Sequence, residues 1–219
     1  MSYYIDEEKV SLDNLQKRIE ETDLVPSRIF LLEKIDEQFL KLKEYGFFAL
    51  NDLRKGLKNK KDIPMLSKET GINYDYLVLL RREIESYFPK ACQLSSFDWF
   101  PQKDVAKLET LGYKNSVLLF EALSSSEEKT EIINDYGFEP EFIESIHNLL
   151  DLTRIQWVSP NFARMLVAAG YTNVRMISMA DADELCSKLD KMNKDNKYFK
   201  GKIGLRDIKR LVKAASYVS

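Results

Sequence analysis

Ten lysines and arginines crowd residues 188–213 against only Asp190, Asp195 and Asp207, a local balance of +7 in a chain whose net charge is −2. Cations at this density can neutralise successive phosphates, a contact that needs no reading of bases. Lys197, Lys200, Lys202, Arg206, Lys209 and Arg210 are the candidate phosphate ligands. Upstream, Ser159, Asn161 and Arg164 lie at the start of an apolar-periodic helix, where a hydroxyl, an amide and a guanidinium can add polar contacts to an anion. Residues 116–151 carry the opposite sign, nine acids against Lys129 alone, a balance of −8. That acidic region is the candidate surface for a protein partner, because such asymmetry steers charged molecules.

Catalysis and metal binding find little support. His147 is the only histidine and has no nucleophile or metal ligand near it in sequence. It is expected as a surface or half-buried residue of an amphipathic helix. Glu141 and Glu144, or Asp181, Asp183 and Glu184, are of the type that does acid/base work. They fall at helix starts, where the dipole alone favours acids. There is no Gly-rich phosphate loop, GxSxG, HExxH or EF-hand spacing. Cys92 and Cys186 are far apart in no metal-binding spacing. A non-enzymatic binding protein is therefore expected, with no catalytic residues, metal or cofactor. Free thiols suit a reducing compartment, the first residues lack the pattern of an export signal, and no apolar run approaches the ~20 residues that span a bilayer. The expected location is cytoplasmic, away from membranes.

The elements that position these residues repeat. Trp99, Leu108, Gly112, Tyr113 and Asn115 recur 58 residues later as Trp157, Leu166, Gly170, Tyr171 and Asn173. A fainter copy lies 66 residues upstream, where Lys41-Leu42 and Gly46-Phe47 match Lys107-Leu108 and Gly112-Tyr113. Apolar residues at three- and four-residue spacing precede each of these glycines, so each glycine is expected to end a helix in a left-handed turn. A new helix is expected a few residues on, at Ala49-Leu50 or Asn173-Val174. Ser11 and Ser159-Pro160 read as helix starts. Met192–Lys202 is expected to be a loop before a last helix carrying Ile208, Leu211, Val212 and Ala215. Strand alternation is absent, and the fold class is all-α: tandem repeats of short helices. The matched positions of Trp99 and Trp157 predict equivalent, largely buried packing sites rather than base-stacking surfaces.

The string Leu152-Thr153-Arg154-Ile155, Ala163, Leu166, Ala169-Gly170-Tyr171-Thr172-Asn173-Val174 resembles a helix-hairpin-helix unit. With Ala180–Leu185 and Gly201–Ile208 it is similar to an uncharacterised bacterial family, a domain of unknown function related to that fold. The resemblance covers about residues 35–215 and is strongest after residue 150. It implies tandem degenerate helix-hairpin-helix repeats and hints at nucleic-acid binding. DNA-binding hairpins of this kind place glycines where backbone amides approach phosphate. Here Trp157 and Ser159, or Trp99 and Pro101, stand at those positions, and Pro101 removes a donor outright. The implied organisation is an N-terminal helix in 1–26, a first degenerate unit in 27–90, and second and third units with a basic C-terminal helix in 91–219. The softest boundary falls near Tyr87-Phe88-Pro89. The expected function is weakly sequence-specific binding to the DNA or RNA backbone. The alternative is a protein-interaction or scaffold module that binds no nucleic acid.

Overall fold

The computed structural model describes residues 1–198 and 201–218. The described residues form thirteen α-helices and two 3-10 turns with no strand, and are all-α. None of these helices is long and apolar enough to cross a membrane. They divide into two compact units, residues 6–88 and residues 1–5 with 89–218.

Unit 6–88 holds α1 (Leu12–Glu21), a 3-10 turn (Pro26–Leu32), α2 (Ile35–Glu44), α3 (Leu50–Leu57), α4 (Ile63–Thr70) and α5 (Tyr74–Glu85). Its core is built by Leu15, Ile19, Leu31, Phe39, Leu42, Leu53, Leu77 and Leu80, all fully buried. Each such side chain contributes about 1.5–3 kcal/mol through removal from water. Gly56 sits inside α3 for a packing reason: a Cβ there would lie 2.6 Å from the tip of the Phe47 ring, which folds back over the helix. Buried Arg18 lies 3.5 Å over the Tyr87 ring, and buried Glu83 is paired with Arg28 at 3.3 Å.

The other unit holds a 3-10 turn (Leu94–Ser96), α6 (Gln102–Thr110), α7 (Ser116–Leu123), α8 (Ser126–Asn134), α9 (Pro140–Leu152), α10 (Pro160–Ala168), α11 (Val174–Ser178), α12 (Ala182–Asn196) and α13 (Leu205–Ala215). Leu108, Leu119, Ile143, Ile146, Leu150, Ile155, Leu166, Ile177, Leu185 and Leu211 face one core. The first residues thread into it. Tyr3 is buried with its hydroxyl 3.0 Å from both the Thr153 carbonyl and hydroxyl, and burial pushes its phenol up to about 12.

The glycine turns share one geometry. Gly46, Gly112 and Gly170 have φ of 107°, 103° and 91°. The next amide donates back to the carbonyl five residues earlier in each: Phe47 to Leu42, Tyr113 to Leu108, Tyr171 to Leu166. This closes the last helical turn and satisfies carbonyls that would otherwise lack partners. Ala49, Asn115 and Asn173 then start α3, α7 and α11 from extended backbone. A Cβ at Gly112 or Gly170 would meet nothing within 4 Å. Gly112→Ala and Gly170→Ala therefore isolate the backbone cost, and each is expected to lose about 1–2 kcal/mol in urea unfolding. Unchanged stability in both would show that the turns do not need glycine.

The segment expected to be a loop, Met192–Lys202, is corrected by the structure over Met192–Asn196, while Phe199 and Lys200 lie outside the described residues. Helix α12 continues through Met192 to Asn196. Met192 packs against the core, and the Glu184–Lys188 and Asp190–Lys194 pairs, each four residues apart, support the exposed face. The stop comes at Lys197, whose left-handed backbone (φ 56°) breaks the helix without a glycine.

Candidate functional site

The hairpin from Thr153 to Ser159 joins α9 to α10 and carries the expected polar contacts. Ile155 and Val158 are buried and hold it against the core, with the Val158 amide donating to the Ile155 carbonyl at 3.1 Å. Trp157, between them, takes the left-handed conformation (φ 70°) that glycine favours. The outcome contradicts the expectation of two equivalent buried indoles. Trp157 is 56 % exposed, whereas Trp99 is half-buried and packs on Phe97 and Phe100 at 5.6 and 6.1 Å. The two hairpins differ because Phe97 and Phe100 gather Trp99 into an aromatic cluster. Between Ile155 and Val158 there is no ring for Trp157 to join, and the positive φ belongs to Trp157 alone of the two.

Helix α10 begins at Pro160, which has no amide to donate, and Ser159 Oγ accepts from the Phe162 amide at 3.3 Å. Ser159 and Asn161 are exposed. Arg164 is half-buried, its guanidinium 4.8 Å from the Trp99 ring centre and 5.4 Å from that of Tyr198. Stacked guanidinium keeps its charge and its outward donors. Lys197, next to Tyr198, is exposed. The hairpin helix and the end of α12 thus meet around one cation held on two aromatic rings.

Lys202, Arg206 and Lys209 are exposed, the last two on the side of α13 away from buried Ile208 and Leu211. Arg210 is different: its side chain is 12 % exposed and is paired with Asp207 at 3.4 Å. Lys200 lies outside the described residues. Helix α13 packs against α11 and α12, whereas α10 packs against α9 and α12, so α12 is the neighbour common to both sets of cations. Lys188 and Lys194 are already paired with Glu184 and Asp190. The charge open to a partner is therefore smaller than the +7 of the sequence.

Two features escaped sequence reasoning. Tyr198 gives no signal of its own, since only folding brings it to Arg164. The polar stripe of α9, Glu144, His147, Asn148 and Asp151, had a readable signal in its spacing opposite Ile143, Ile146 and Leu150. His147 is half-buried with its ring 5.4 Å from that of Phe120, and burial lowers its pKa, helped by the charge of Lys129. Among the described residues no three His, Cys, Asp or Glu side chains are grouped to hold a metal ion.

A family model described as a domain of unknown function (DUF4332) matches residues 100–217. No curated protein and no solved structure matches the chain.

Proposed function

The chain belongs to the DUF4332 family, a domain of unknown function, and we propose that it is a non-enzymatic protein that binds the nucleic-acid backbone through its second hairpin and basic C-terminal segment. The observation that carries this reading is the hairpin itself. Its backbone turns at Trp157 as a glycine would, in the manner of a degenerate helix-hairpin-helix, and leaves the indole open beside α10. Ser159 Oγ accepts from the Phe162 amide in capping α10, which leaves its O–H to donate to a phosphate. Further contacts to phosphate come from Asn161, Arg164, Lys197, Lys202, Arg206 and Lys209, with Arg210 acting mainly through Asp207. An exposed indole adds stacking on unpaired bases, which tolerates any sequence. The reducing cytoplasm is the setting this reading implies.

The scaffold reading has one observation of its own, the exposure of Met176 and Met179 on and after α11, which suits an adaptable protein contact. Trp157→Gly tests the stacking contact of the nucleic-acid reading at low structural cost. Glycine relieves the left-handed strain, so stability in urea is expected to hold or rise by up to about 1 kcal/mol. Affinity for a single-stranded oligonucleotide is expected to fall about tenfold, the loss of one stacking contact. Unchanged oligonucleotide binding by a stable Trp157→Gly protein removes the indole from the interface.

A further inference from the structure

A cleft of about 430 Å³ opens between the turn joining α7 to α8 and the polar stripe of α9. This is within the size range of small-molecule sites. Phe120 and Leu123, both buried, back it, and His147, Asn148, Lys129 and Asp151 face it from α8 and α9. Met1 also lines it, and the charged side chains of the cleft are already matched within the protein. Lys129 is bonded to Glu144 at 2.9 Å, while Asp151 is paired with Arg154 and accepts from the Val174 amide at 2.7 Å.

The side chains left over are neutral. The half-buried Asn148 amide makes no hydrogen bond among the described residues, and neither does the His147 imidazole. An Asn side chain presents a donor and an acceptor side by side, the pattern that pairs with the edge of a nucleobase. A flat ring would lie over the half-buried His147 imidazole with that edge on Asn148. A phosphate is disfavoured, because the surrounding segment 116–151 carries a balance of −8 and Lys129 is engaged.

We propose that this cleft binds an uncharged nucleobase or nucleoside, recognised by Asn148 and His147. The site is separate from the hairpin and does not depend on the chain binding polynucleotides. His147 supports it further: burial, Lys129 and Arg154 favour the neutral imidazole, which can accept as well as donate, against the opposing pull of Asp151 and Glu144.

Because His147 is the sole histidine, its ring protons report the cleft directly in NMR. Adenosine is expected to shift them saturably, with a Kd of about 1 mM or tighter, equivalent to about −4 kcal/mol. Covering the ring with an uncharged ligand should lower the pH at which it titrates. Asn148→Ala and Asn148→Asp each remove the paired edge and are expected to weaken adenosine about tenfold or more. The absence of a saturable shift up to about 10 mM, ten times that Kd, overturns the proposal. So does adenosine binding unaffected by both Asn148 variants, or an equal shift with inorganic phosphate and a rise in the titration point. Oligonucleotide binding without adenosine binding removes this site and leaves the hairpin reading intact.

Discussion

Arg154→Ala is expected to be the most damaging single substitution in residues 89–218, costing about 3–5 kcal/mol, as loss of one partner of a buried ion pair does. The guanidinium is buried and joins distant parts of the chain. Its Nε donates to the Tyr3 carbonyl at 3.1 Å, one terminal nitrogen bonds Asp151, and the other donates to the Val218 carbonyl at 3.2 Å. It also lies 4.7 Å from the centre of the Phe120 ring. Truncation strands a carboxylate that holds the start of α11 and leaves two carbonyls without donors. Both tryptophans lie between residues 89 and 218, so urea unfolding followed by tryptophan fluorescence reads that unit selectively. An Arg154→Ala protein with a midpoint within error of the parent would show that this network is incidental to stability.

The second large effect concerns salt. Three to five engaged cations among Arg164, Lys197, Lys202, Arg206 and Lys209 give a slope of log affinity against log salt of about −3 to −4.5 on duplex DNA. Raising salt fourfold, from about 50 to about 200 mM, is then expected to weaken binding roughly 60- to 500-fold. The variant Lys202→Glu/Arg206→Glu/Lys209→Glu changes three exposed side chains and should flatten the slope by about two units or more. Arg210 is left alone because reversing it would set two acids together at Asp207. Reversal of Lys58, Lys60 and Lys61 should change the slope little. A slope near zero in the parent would mean that phosphate neutralisation is not the source of affinity.

The helical architecture was legible because it rests on local chemistry. Apolar spacing ahead of Gly46, Gly112 and Gly170 marks a helix face, and each glycine marks its end, with the same back-bonded turn in all three. Caps such as Ser11, Ser159 and Asn173 are likewise chosen by residues two or three positions away. The end of α12 was misread, since polar lysines and asparagines suit a loop but pair equally well along a helix. Trp157 was misread for a related reason. Similarity to Trp99 in sequence says nothing of whether aromatic neighbours are there to bury the ring, and Phe97 and Phe100 have only the aliphatic Ile155 and Val158 at the corresponding places. The meeting of Arg164 with Tyr198, and the cleft beside α9, depend on helix packing over long separations in sequence, which no local spacing encodes.

Titration of labelled duplex and single-stranded oligonucleotides at about 50 mM salt, where phosphate contacts are strongest, tests backbone binding most directly. The parent protein is expected to bind both, and the triple reversal of Lys202, Arg206 and Lys209 to abolish or severely weaken both while retaining the parent's helical circular dichroism. No binding by the parent, or binding indifferent to the reversal, would contradict a nucleic-acid function and leave a protein partner as the object of these surfaces.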